Sequence, residues 1–216
     1  MLGAASHPTQ LTASSGPVPD ARRVSIAERR ERKAAVDDPA VVFEAAARFL
    51  EARSRSVAEV RRRLTHTGYR PELVEGAIER MVELGVLDDE AFARAWVESR
   101  DRARPRSERA IREELRLKGV DRASVDLVLG ERREAAAGPD GGADDRGSGS
   151  ADRLAAERLI ARHERSLAHV MDLRQRRQRA YALLARNGFD PEICREVAAT
   201  VMVEPDLSPD LADPDG

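Results

Sequence analysis

Arginine offers more chemistry than any other residue in this 216-residue sequence. Of its 37 cationic side chains, only Lys33 and Lys118 are lysine. A guanidinium is a planar fork of donors that matches carboxylate and phosphate oxygens. The arginines gather in clusters: Arg61, Arg62 and Arg63; then Arg100, Arg102, Arg104 and Arg106; then Arg109, Arg112, Arg116 and Lys118; and finally Arg174, Arg176, Arg177 and Arg179. The chemistry available to such clusters is contact with a phosphate backbone or an acidic protein surface. Two plain readings compete with it. A GC-rich genome favours arginine codons, and Glu108, Glu113 and Glu114 interleave with the middle clusters as they would on a solvated face. Aromatic residues make up only 3% of the chain, so stacking on bases cannot be a main mode of contact. Phosphate contact without sequence reading is what remains.

Catalytic and metal chemistry find little support. The acids of Leu87-Asp88-Asp89-Glu90 stand directly before an apolar-periodic run, where carboxylates cap a helix. His7, His66, His163 and His169 are scattered, and the last two are six apart rather than the four that puts two ligands on one helix face. Cys194, the single cysteine, excludes an intramolecular disulfide framework, fits a reducing compartment and reads as a core or semi-buried thiol. There is no glycine-rich phosphate loop and no nucleophile elbow. No enzyme, cofactor, metal or small-molecule substrate is expected. Nor does any run approach the ~18 apolar residues of a membrane span, so a cytoplasmic protein is expected.

The elements that must position the arginines read as helices throughout. Ser56 and Glu59 form a capping box before Val57, Val60 and Leu64, and this leaves Arg62 pointing outward. Gly68 ends that helix, and Pro71-Glu72 starts the next. The pattern recurs in register around Gly68, Gly119 and Gly188. Leu64, Leu115 and Leu184 stand four before, Tyr69, Val120 and Phe189 one after, and Val60, Ile111 and Ala180 eight before. Ser56 and Ser107 both lie twelve before their glycine. The expected fold is therefore all-α, an elongated tandem array of three-helix units, each too small to bury a robust core alone. The boundaries read as a disordered N-terminal arm over 1–39, with a transient helix near Ser25–Ala35, unit 1 over 40–86 and unit 2 over 87–134. A flexible linker over 135–152, unit 3 over 153–203 and an acidic disordered tail over 204–216 complete them. Charge is uneven along the chain. Residues 40–130 hold 18 basic and 17 acidic side chains, residues 151–200 hold 10 and 7, and 201–216 hold none and 5. Only weak contact with naked DNA is expected from that balance.

The stretch LDDEAFARAWVESRDR, followed by SERAIREELRLKGVD, resembles the signature of the RecX family of bacterial recombination regulators, and RFLEARSRSVAEVRRRLTHTGY with IERMVELGVLDD resembles that family's first repeat. The resemblance covers residues 41–130 well and 151–203 weakly. It departs where Ser107 stands in place of the family's glycine, and in the length of the linker. It implies tandem three-helix repeats that bind the RecA recombinase and its filament on single-stranded DNA. It also implies a protein that curbs strand exchange, ATP hydrolysis and co-protease action in DNA repair and the SOS response; a monomer is expected. The competing readings are a helix-turn-helix transcription regulator and a purely structural helical adaptor. The second helices mix Arg with Glu and lack the Asn/Gln set that reads bases, which weighs against the first.

Overall fold

Helix periodicity and capping dictate the architecture of the computed structural model, which describes residues 25–137 and 148–201. Among these residues the chain is all-α, without strands. Three units follow one another: α2 (Pro39–Glu51), α3 (Val57–Thr67) and α4 (Pro71–Glu83); α5 (Asp89–Ala103), α6 (Glu108–Leu117) and α7 (Arg122–Ala137); α8 (Ser148–Ala168), α9 (Leu173–Arg186) and α10 (Pro191–Ala199). A further helix, α1 (Ile26–Ala34), precedes them.

The registered positions do the same work three times. Gly68, Gly119 and Gly188 adopt φ of 107°, 79° and 88°, a left-handed conformation that a side chain would strain. The N–H of the following residue then turns back onto the carbonyl of Leu64, Leu115 or Leu184. All three leucines are buried, as are Val60, Ile111 and Ala180 one turn before, and Tyr69, Val120 and Phe189 beyond. Cys194 falls six after its glycine, where the other units place Val74 and Val125, so it is a core residue. Burial pushes its thiol pKa up. Val82 and Leu84, at the end of α4, are half exposed, while Leu87 joins the first core rather than the second.

The glycines also join the units. A Cβ on Gly119 would overlap the methyl of Ala58 in α3, and one on Gly188 would press on Ser107 and Ala110 in α6. The carbonyl end of each middle helix thus meets the N–H end of the preceding unit's middle helix. Ser56 Oγ donates to the Lys118 carbonyl at 2.6 Å, and the Ser107 N–H donates to the Asn187 carbonyl at 3.3 Å. This is the head-to-tail sense in which helix dipoles attract. At the free end of the row, Gly68 packs on Arg30 of α1 instead. α1 carries the same Ser-x-x-Glu capping box, Ser25 with Glu28, that opens α3, and so covers the first unit as a preceding unit would.

One expected boundary changes. The helix expected near Ser25–Ala35 in the N-terminal arm is present as Ile26–Ala34, formed rather than transient, and Lys33 Nζ donates to Tyr69 Oη at 2.9 Å. The linker expected over 135–152 is helical at both ends, because α7 runs to Ala137 and α8 starts at Ser148. Ala151 and Asp152 are buried, held by contacts to unit 2 that composition could not reveal. Residues 1–24 of the arm, 138–147 of the linker and the tail over 204–216 lie outside the described residues. Among those described, no helix is long and apolar enough to cross a membrane.

Candidate functional site

Each arginine's usefulness to a partner depends on what its own chain already gives it. Arg61 is committed: it holds Glu75 through Nε at 2.7 Å and Nη2 at 2.8 Å. Arg112 is shared between Asp126 and Glu108, and Arg116 grips Glu113 through two bonds. The pairs with Glu75, Asp126 and Glu113 are exposed and contribute little stability, whereas Glu108 is buried. Their carboxylates nevertheless cancel the positive field that a phosphate would feel.

Four others serve the fold. Arg100 lies over the Trp96 ring at 4.2 Å and donates to Glu114 at 2.6 Å, and Trp96 Nε1 donates to the same carboxylate at 2.8 Å. Arg106 Nε approaches Glu114 to 3.1 Å. Lys118 Nζ also sits over the Trp96 ring, 4.2 Å from its centroid, and donates to Glu59 of unit 1 at 3.1 Å. Arg176 is buried, donating to the carbonyls of Val170 at 2.9 Å and Ala168 at 3.0 Å. It occupies the register position of Ser56 and Ser107, twelve before its unit's glycine. Arg100, Lys118 and Arg176 are therefore withdrawn from the surface expected of them. Glu114 and Glu59 claim Arg100 and Lys118 from 14 and 59 positions away, whereas Arg176 is claimed by the turn just before its own helix.

The remaining candidates are exposed. Arg62, Arg104, Arg109, Arg174, Arg177 and Arg179 have no ion-pair partner among the described residues. Arg63 lies 5.6 Å from the Phe49 centroid, and Arg102 reaches Glu98 only at 3.8 Å. Counted back from the unit's glycine, Arg62 is sixth, Arg179 ninth, Arg109 tenth and Arg174 fourteenth. Spacings of three and four place these positions on one face of a helix, opposite the inward fourth and eighth. Each middle helix thus presents at least one uncommitted guanidinium away from its core.

Pattern reading missed Arg158 and Arg162. Both are exposed on α8, one turn apart, beside a groove against unit 2. The signal was masked because α8 packs on two sides. Ala155, Ala156 and Leu159 face α9 and α10, whereas Ala151 and Asp152 face unit 2, so no single apolar stripe emerges. Asp89 was also underread. Asp88 caps α5 by accepting from the Ala91 N–H, as expected, but Asp89 accepts from the Val57 N–H of the neighbouring unit at 2.9 Å. No group of three or more His, Cys, Asp or Glu placed to hold a metal occurs among the described residues.

Tandem three-helix domains are matched in known proteins. Residues 43–81 match the family model for the first three-helix domain of RecX, and residues 88–129 match that for its second. A regulatory protein RecX from Mycobacterium sp. (strain JLS) is 35% identical over 193 residues, which span 89% of this chain and 91% of that protein. This chain belongs to the RecX family. The regulatory protein RecX of Mycobacterium tuberculosis is likewise 35% identical, over 150 residues covering 69% of this chain and 79% of its own. The crystal structure of RecX from Lactobacillus salivarius superposes with a TM-score of 0.58 at 16% identity, over 76% of this chain and 97% of that one. A second RecX crystal structure gives 0.55 at 17% identity, over 81% and 73%. At such identities the two structures speak to the RecX fold alone.

Proposed function

We propose that this chain regulates the RecA recombinase by binding, without catalysing a reaction. It binds RecA and RecA filaments on single-stranded DNA, and mainly inhibits strand exchange, ATP hydrolysis and co-protease action in recombination, repair and the SOS response. The observation that carries this reading, within the RecX family, is the uncommitted arginine on the outer face of each middle helix: Arg62, Arg109, and Arg174 with Arg179. An array that repeats one weak contact along its length suits a partner that also repeats, because linked contacts can raise affinity by ~10²–10⁴. The near balance of charge in units 1 and 2 supports weak, sequence-indifferent contact with DNA alone. The protein acts as a monomer in the cytoplasm on this reading.

The test is binding to labelled single-stranded DNA across a salt series, with and without RecA. Naked DNA should bind weakly and lose binding steeply with salt, whereas the RecA filament should bind tightly and lose ATPase activity. Changing Arg62, Arg109 and Arg179 together to Ala should weaken filament binding by about tenfold or more, with helicity retained. Unaltered binding by that triple variant would remove the middle-helix face from the contact surface.

A further inference from the structure

Between α5 and α7 of unit 2 and α8 of unit 3 lies a groove of about 730 Å³. Val97, Val128, Ala135, Ala151 and Leu154 make its apolar walls, and charged side chains rim it. Five arginines line it against three acids: Arg94, Arg102, Arg132, Arg158 and Arg162 against Glu98, Asp101 and Glu131. Two of those acids are engaged already, Glu131 by Arg94 at 2.8 Å and Asp101 by Arg132 at 3.0 Å. The surplus is specific. Arg158 has no ion-pair partner among the described residues, Arg162 donates to the Arg102 carbonyl, and Arg102 meets Glu98 only at 3.8 Å. An apolar trough with three under-neutralised guanidinium groups fits a segment that alternates carboxylates with aliphatic side chains.

The chain carries such a segment itself. Residues 201–216 hold five acids and no cation, and they write Pro-Asp-Leu twice: Pro205-Asp206-Leu207 and Pro209-Asp210-Leu211. We propose that this C-terminal segment docks in the groove, its leucines on the apolar walls and its aspartates on Arg102, Arg158 and Arg162. In an extended chain the two leucines stand ~12 Å apart. α8 offers ~16 Å of wall between Ala151 and Arg162. Val201 packs with Leu167, Ala180 and Ala198, close to Ile160 on the other side of α8. The segment must therefore pass around one helix, ~10 Å across. Its fifteen remaining residues reach ~50 Å. Tethering gives the segment a local concentration in the millimolar range, so a weak contact suffices to hold it. Docked there, it shields these three arginines from any other acidic ligand. The assignment rests on groove and sequence alone and stands or falls independently of the RecA reading.

The experiment compares the full chain with one ending at Val203, which retains every described residue. A fluorescein-labelled peptide of residues 204–216 is titrated against each and followed by anisotropy. The peptide should bind the shortened chain, and bind the full chain about tenfold less, because the tethered segment competes. Asp206→Asn with Asp210→Asn in the peptide, which leaves the protein untouched, should abolish most of the binding. So should Arg158→Glu with Arg162→Glu in the shortened chain. Absence of binding to the shortened chain, equal binding to both chains, or binding indifferent to the aspartates would each overturn the assignment. A full-length dimer that dissociates on truncation would also overturn it, by placing the segment in the groove of a second copy.

Discussion

The joint between units 1 and 2 and the joint between units 2 and 3 are built on one plan and closed by different chemistry. In both, a glycine at the carbonyl end of one middle helix packs on the N-terminus of the preceding one. In both, an aspartate at the start of the later unit accepts the first free N–H of the earlier unit's middle helix. Asp89 takes that of Val57 at 2.9 Å, and Asp152 takes that of Glu108 at 2.8 Å. The first joint is then closed by Lys118, lying on Trp96 and bonded to Glu59. The second is closed by Arg132, whose side chain is 6% exposed and which bonds Asp152, Asp101 and the Arg106 carbonyl at once. A lysine at a partly wet seam can lose its partner and still be hydrated. A guanidinium sealed between two carboxylates cannot, and so the second joint tolerates less disruption.

The sharpest way to break the comparison is Arg132→Ala. Removing one partner of a buried ionic cluster strands Asp101 and Asp152, and the expected cost is ~3–5 kcal/mol in urea unfolding. Hydrogen exchange should rise in α8–α10 and much less in α2–α4. If both regions loosened equally, the two joints would not be energetically distinct. Leu115→Ala acts on the unit that both joints share. Truncating this fully buried leucine should cost ~2–5 kcal/mol and loosen both seams together.

Lys118→Ala tests the first joint alone. It removes one charged hydrogen bond and one cation–π contact at a partly exposed site, for ~1–3 kcal/mol. A cost above that of Arg132→Ala, read from the same urea midpoints, would reverse the ranking of the joints. The smallest effect is one of pH. Burial raises the Asp152 pKa, against the opposing pull of the Glu108 N–H and Arg132. A carboxyl whose folded pKa lies above its unfolded one binds its proton more tightly when folded. Its contribution to stability is therefore present at low pH and falls as pH rises from the unfolded pKa through the folded one. Asp152→Asn removes that titration, so the variant should show a weaker decline than the parent across this window. At Glu59 in the first joint the sign is opposite. Burial there is outweighed by Lys118 and the Ser56 N–H, which lower the folded pKa, so its contribution is lost as pH falls.

The sequence by itself determined the helices and their cores. A buried leucine four before a left-handed glycine is a local instruction, obeyed wherever a helix ends, so Leu64, Leu115 and Leu184 could be read without knowing what surrounds them. The outward direction of Arg62 follows from the same periodicity. Only the tertiary structure decided which charges are free. Lys118 meets Glu59 across 59 positions, and Asp152, which composition assigned to a flexible linker, meets Glu108 across 44. Nothing in the local pattern separates Arg176, buried on two carbonyls, from Arg177 exposed beside it except the turn of the helix and what happens to lie against it. Local sequence sets backbone conformation and the direction of each side chain. The partner that direction finds depends on how distant units stack, because a charge is stabilised by whatever carboxylate or carbonyl arrives there.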